Sequence, residues 1–296
     1  MKNETITYRV HEVSEYINWV YFFHAWGFSP RYASVASVCD CVSCQSNWIF
    51  SFPYEERIKA QEAVQLYMEA HKVLKELDEQ TSVRTLYRLC PTNAEGDDLL
   101  IDSLRFPCLR QQKVKEDGQP YLCLSDFIRP LSSGIPDTIG LFATTVHEPD
   151  TEEADAYKRL LIQTLTDRLA EAGAEKLHQY VRKEAWGYAP DEQLSIEQLH
   201  KEEFQGIRPA VGYPSLPDQS VNFLLDQLLD MHQIGIMLTE NGAMNPHASV
   251  SGLMFAHPQA RYFSVGKIGK DQFQDYVRRR GLPADEMRKF LAACLE

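Results

Sequence analysis

The residues best suited to chemistry lie in one short stretch, Gly206-Ile207-Arg208-Pro209-Ala210-Val211-Gly212-Tyr213-Pro214. Pro209 and Pro214 fix φ and remove backbone donors, which stiffens the loop. Gly212 lets the backbone approach a ligand with no Cβ in the way. An arginine at the head of a rigid loop suits a bidentate grip on a carboxylate. The same residues also make an ordinary connector whose Arg208 pairs with Glu202 or Glu203, and residue types alone leave both readings open. A second candidate is Cys39-Asp40-Cys41-Val42-Ser43-Cys44. Thiolates this close can share one metal. No second C-x-x-C follows, so the expectation is free thiols in a loop or strand, with no metal. Cys90, Cys108, Cys123 and Cys294 are scattered, three of them among apolar neighbours, where cysteine behaves as a small buried hydrophobe.

Other chemical signals fail on context. Asp230-Met231-His232-Gln233-Ile234-Gly235 spells the D-x-H-x-x-G loop in which a histidine ligates cobalt. It ends an apolar helix instead of following a strand, and the partner Ser-x-Leu and Gly-Gly are missing, so it reads as a decoy. Gly266-Lys267-Ile268-Gly269 is a turn rather than an RNA-binding GxxG loop. There is no Walker loop, G-x-S-x-G elbow, H-E-x-x-H or dinucleotide fingerprint, and no histidine is placed with an obvious nucleophile. No protein-borne catalytic residue is therefore expected.

The elements that must position these residues follow from periodicity. Ala63, Leu66, Tyr67, Ala70, Leu74 and Leu77 form a helical stripe within about 54–80, after a short aromatic helix and the cysteine segment. Runs at 85–89, 98–104, 120–124 and 137–146 read as strands, separated by Gly, Pro, Asn and Asp. Glu148, Asp150, Glu152, Glu153 and Asp155 then open a second long helix reaching about 188, with Leu161, Leu165, Leu169, Ala172 and Leu177 as its buried stripe. A helix near 220–232, strands at 248–256 and 261–268, and helices at 271–280 and 284–293 complete the chain. Strands and helices mix without βαβ alternation, so the fold class is α+β, in one domain over 1–296. The net charge of −12 argues against nucleic acid. No apolar run is long enough for a membrane span and the N-terminus lacks a signal-peptide core, so a cytoplasmic protein is expected.

Ordered matches to one family extend from the arginine loop along the chain. Residues 208–219, RPAVGYPSLPDQ, resemble R-P-A-P-G-Y-P-A-C-P-[DE]-H of the C-terminal reactivation domain of cobalamin-dependent methionine synthase. Leu238-Thr239-Glu240-Asn241-Gly242-Ala243-Met244 is similar to the family's L-T-E-S-F-A-M. Further matches are Ala248-Ser249-Val250-Ser251-Gly252, Phe255-Ala256-His257-Pro258, Tyr262-Phe263-Ser264-Val265, Trp186-Gly187-Tyr188-Ala189-Pro190, Leu109-Arg110-Gln111-Gln112 and Tyr16-Ile17-Asn18-Trp19. The resemblance covers nearly the whole chain apart from about 28–53.

The resemblance implies a largely antiparallel twisted sheet flanked by helices, with S-adenosylmethionine bound in a shallow groove. Arg208 would hold the methionine carboxylate, and backbone around Ala210, Gly212 and Tyr213 would meet the adenosyl part. Tyr262 and Phe263 would border the ligand, and Glu171 and Glu203 match acidic residues lining the groove. Asn18 stands where the family has an aspartate that accepts hydrogen bonds from the ligand's ammonium. Leu216 and Gln219 replace the family's Cys and His, and Asn245 its Trp before Pro. The implied role is reductive reactivation of a cobalamin-carrying methionine synthase that lacks this domain, acting in trans with a flavodoxin-like electron donor. Two alternatives remain: an interaction protein that has lost S-adenosylmethionine, or a reactivator of another corrinoid methyltransferase. The stretch 257–281 places Arg261, Lys267, Lys270, Arg278, Arg279 and Arg280 against Asp271 and Asp275, either a docking surface or a solvated face.

Overall fold

A computed structural model describes residues 2–113, 118–149 and 155–295. Its centre is β2 (Ser82–Glu95), fourteen residues long, flanked along its length by β5 (Asp137–Val146). The opposite edge of β2 is shared: β1 (Glu4–Arg9) pairs with its first half and β3 (Asp98–Ile101) with its end. β4 (Leu104–Pro107) extends β3, and β8 (Ser249–Met254) extends β5, giving a six-stranded, all-antiparallel sheet ordered β4-β3-β2-β5-β8 with β1 beside β2. A separate ribbon joins β6 (Met237–Leu238) to β7 (Met244–Asn245).

Alternation along the strands sends side chains to two cores. Val83, Tyr87, Phe142 and Val146 face the helices α1 (Val10–Ser14), α2 (Trp19–Ala25), α4 (Arg57–Gln80) and α5 (Ala156–Tyr180). Leu86, Cys90, Ile139 and Leu141 face the opposite layer, which includes α7 (Asn222–Leu229). α5 lies close on the sheet because it carries glycine there: a Cβ on Gly173 would stand 2.5 Å from Val83 Cγ1. A small third cluster gathers α8 (Lys270–Arg280) and α9 (Ala284–Phe290) around Tyr276 and Met287.

Both long helices form where their apolar stripes predict, and Asp155 caps α5 by accepting from the Tyr157 amide at 2.9 Å. Asp150, Glu152 and Glu153 lie outside the described residues. Two expected strands are absent. Residues 120–123 are irregular and Leu124–Phe127 forms a 3-10 turn. Residues 261–268 form no strand either: apart from one isolated bridge from Ile268 to Leu295, their hydrogen bonds run elsewhere. Val265 N–H donates to Pro214 at 2.9 Å, and Gln111 Nε2 donates to the Ser264 carbonyl at 2.7 Å. The cysteine segment holds a 3-10 helix (Pro30–Ser37) and α3 (Val42–Phe50), so Cys44 lies on a helix and not in the expected loop or strand, and a short α6 (Ile196–His200) comes between α5 and α7 in the chain. The D-x-H-x-x-G stretch is a helix stop, with left-handed Asp230 and Gly235 around a 3-10 turn that leaves His232 exposed. Among the described residues no helix is long and apolar enough to cross a membrane.

Candidate functional site

The arginine loop lies along the outer edge of β8, bridged to that segment at Ile207 and Ala210 without forming a strand of its own. Ile207 exchanges both backbone hydrogen bonds with Phe255, at 3.0 and 2.9 Å, and Leu253 N–H donates to Pro209 at 3.1 Å. Pro209 has no N–H to return, so this edge gives up one rung of the ladder. Alternation then places Ile207 in the core behind the sheet, and Arg208 and Ala210 on the face covered by α5. The close approach is possible because Gly252 lies opposite: a Cβ there would sit 2.2 Å from Pro209 O and 2.8 Å from the Phe142 ring. Gly252→Ala is therefore expected to push the loop off β8 and to lower stability by about 1–3 kcal/mol, the usual cost of overpacking. Thermal unfolding measures it, and an unchanged melt would refute this account of the glycine.

Opposite the loop, α5 offers Arg168, Glu171 and Glu175, three and four residues apart on one helix face. Together these walls enclose a groove of about 540 Å³, within the range of small-molecule sites. Arg208 is buried in its floor, its side chain 10% exposed. Its Nη2 donates to Glu175 Oε2 at 3.1 Å, its guanidinium lies 5.6 Å from the Phe142 ring centre, and its Nε has no partner among the described residues. Burial opposes the charge on Arg208, but Glu175, Tyr262 and Glu171 outweigh it and leave the pKa raised. The Tyr213 hydroxyl donates to Glu171, and burial first, then that carboxylate, raises the phenol's pKa. Tyr262 accepts the Arg208 backbone N–H at 2.9 Å, its own pKa pushed up to about 12 by burial.

Of the residues singled out in the sequence, Asn18, Glu171, Arg208, Ala210, Tyr213, Tyr262 and Phe263 come together in this groove. Glu203 and Gly212 do not line it. Glu203 is exposed and accepts from Gln198 Nε2 at 2.9 Å, while its neighbour Glu202, held at φ 58°, turns into the groove. Burial, then the charge of Glu175, raises the Glu202 pKa. Gly212 has open space where a Cβ would stand; what requires glycine is φ of 86° in the turn that precedes Tyr213. The connector reading paired Arg208 with Glu202 or Glu203, whereas its ion-pair partner is Glu175.

Glu175 was missed, although its position one helical turn beyond Glu171 was a usable signal. Tyr16, Tyr21, Glu202 and Phe204 also line the groove. Behind Phe204, the buried Arg182 makes two 2.7 Å bonds to Glu192 and lies 4.1 Å from the Phe204 ring centre. Burial first, then Arg182 and Arg208, hold His178 well below its usual range, so its imidazole is neutral.

The donor set suits a zwitterion with additional positive charge. A buried guanidinium with a free Nε can take a carboxylate, and Glu171, Glu175 and Glu202 favour cations. Tyr262, Phe263, Pro209 and Ala210 supply apolar surface. The sequence also matches the family described as vitamin B12 dependent methionine synthase, activation domain, over residues 9–281.

The chain belongs to this activation-domain family.

A solved relative, the crystal structure of the MetH reactivation domain bound to AdoHcy, has 35% sequence identity and a TM-score of 0.85. The similarity covers 100% of this chain and 90% of that one. Several activation-domain motifs gain structural reasons. Gln111 and Gln112 tether the segment holding Tyr262 and Phe263, by the bond to Ser264 and by accepting Gly269 N–H at 2.7 Å. Arg110 bridges Asp97 and Asp126. Leu216 is buried in the core behind the sheet, and Gln219 is exposed in a 3-10 turn. Asn18 caps α2 by accepting from Val20 N–H at 3.1 Å while lining the groove.

The cationic stretch of 257–281 is smaller in space than in sequence. Arg279 is bound to Asp98 and Asp275, at 2.5 and 2.7 Å, and Arg280 to the buried Asp218 at 3.3 Å. Only Arg261, Lys267, Lys270 and Arg278 remain exposed.

Proposed function

We propose that this activation domain binds S-adenosylmethionine in the groove between α5 and the edge loop. From there it presents the methyl group to a cobalamin carried by a partner methionine synthase module acting in trans. The observation that carries the reading is the buried Arg208, half committed to Glu175 and with Nε unpaired. When bound, S-adenosylmethionine supplies a methyl group on a sulfonium leaving group, and reduced cobalamin from the partner supplies the nucleophile. The residues of this chain bind and orient. Arg208 holds the amino-acid carboxylate, while Glu171 and Glu202 balance positive charge. Asn18 accepts from the ammonium with the lone pair not used in its cap. Tyr213, Tyr262 and Phe263 flank the adenosyl part and keep water from it. No proton has to move at a side chain during the transfer itself. A flavodoxin-like protein supplies the electron that returns oxidised cobalamin to its nucleophilic state. The partner approaches across the exposed Arg261, Lys267, Lys270 and Arg278.

Calorimetric titration of the chain with S-adenosylmethionine and S-adenosylhomocysteine tests the binding step. One equivalent is expected, and ligand at about 100 times Kd should add about 2.7 kcal/mol of stability. The absence of both heat and thermal shift would instead favour an interaction protein that keeps the fold without the ligand. Transfer of labelled methyl to methionine synthase cobalamin, but not to other corrinoid proteins, tests the partner.

A further inference from the structure

The seven cysteines fall into two populations. Cys90, Cys108, Cys123 and Cys294 are buried, whereas Cys39 and Cys41 are exposed and Cys44 is half exposed. The three accessible thiols precede and enter α3, and their sulfurs all lie within 4.8 Å of one another. They stand outside the ligand groove, and nothing in methyl transfer uses them. We infer that Cys39, Cys41 and Cys44 form a three-thiolate site for one soft, thiophilic metal ion, of the class of Zn²⁺ or Cu⁺.

Spacing, orientation and exposure support the site. Metal–sulfur bonds of about 2.3 Å put sulfurs around one ion roughly 3.8–4.0 Å apart, so these three close onto an ion by small side-chain rotations. The central ligand is held in place, because Cys41 caps α3 and its Sγ accepts the Cys44 N–H at 3.4 Å. A bond of this kind orients a ligand in the way outer-shell hydrogen bonds do. Asp40, exposed between two of the ligands, adds negative charge near a cation. Thiolate sulfur selects soft ions over Mg²⁺ or Ca²⁺, and the exposure of the cluster leaves a coordination position for water or a donor from another protein. Loading exchanges three S–H protons, released to solvent, for three sulfur–metal bonds, with no change in oxidation state. The site also has structural work to do. α3 contains no buried residue, and its Val42 is 80% exposed, so the helix start is weakly held by packing.

The test uses the full chain, reduced and anaerobic, titrated separately with Zn²⁺ and Cu⁺ against a chromophoric chelator. One equivalent of at least one ion should bind. Each of Cys39→Ser, Cys41→Ser and Cys44→Ser should weaken binding by about 100-fold or more, beyond the effect of an outer-shell change. The triple serine variant, which keeps the four buried thiols, should bind neither ion. Because the sites are on the surface it should keep the wild-type circular dichroism and melt. Hydrogen exchange in 39–50 should slow on loading in the wild type only. Binding that persists in the triple variant would overturn the inference, as would a wild type that binds no more tightly than that variant. A disulfide found within the cluster under these reducing conditions would overturn it too.

Discussion

Arg208→Ala is expected to weaken S-adenosylmethionine binding by two orders of magnitude or more, and to destabilise the protein at the same time. Hydrogen bonds to charged groups contribute about 1.5–3 kcal/mol each, so a two-point grip on the carboxylate accounts for about 3–6 kcal/mol. The stability effect has a different origin. Arg208 and Glu175 are both nearly buried, 10% and 13% exposed, and Glu175 Oε1 already lacks a partner among the described residues. Removing the guanidinium leaves a carboxylate in the floor of the groove, a loss of about 3 kcal/mol when a buried pair is broken from one side. Arg208→Ala combined with Glu175→Gln should recover most of the stability and none of the affinity. Calorimetry and thermal melts on the two variants separate the effects. Wild-type affinity in Arg208→Ala would remove Arg208 from the site.

The second large effect is expected away from the ligand. Glu192→Ala leaves Arg182, whose side chain has no solvent exposure, without its two-point partner. One-sided removal from such a pair costs about 3–5 kcal/mol, and at 2–4 °C per kcal/mol the melting temperature should fall by about 10 °C. Arg182 also packs on Phe204, which lines the groove, so ligand affinity should fall with it. Replacing both partners, Arg182→Met with Glu192→Leu, should restore much of the loss. If Glu192→Ala melts within about 2 °C of wild type, the pair is not holding this wall.

These two residues differ in how visible they were in the sequence. Arg208 stands in a stiff Pro/Gly loop, which made it a candidate beside an ordinary connector reading, and the family likeness favoured binding. Glu192 has no local signal, because its importance comes from burial against Arg182. The two long helices were legible because each carries a stripe of apolar residues. The run at 261–268 looked like a strand but satisfies its backbone through Pro214 and Gln111, partners no local pattern can indicate. The choice between Glu202 and Glu203 was decided by a left-handed φ at Glu202, invisible to helix or strand periodicity. The inward turn of Arg279 and Arg280 depended on Asp98 and Asp218, distant in sequence and nearly inaccessible to solvent.

The hydrogen bonding of the edge loop has one more consequence. β8 would otherwise end the sheet with open N–H and C=O groups, a template on which another chain could add and aggregation could start. The bonds of Ile207, Pro209 and Val211 to Phe255, Leu253 and Ser251 occupy that template. On the outer side, the Arg208 N–H is already taken by the Tyr262 hydroxyl at 2.9 Å, so the new edge offers one donor fewer to a further strand. The segment that carries Arg208 thus covers that edge of the sheet, and the bonds that hold the arginine in place are the same ones that close the edge to a further strand.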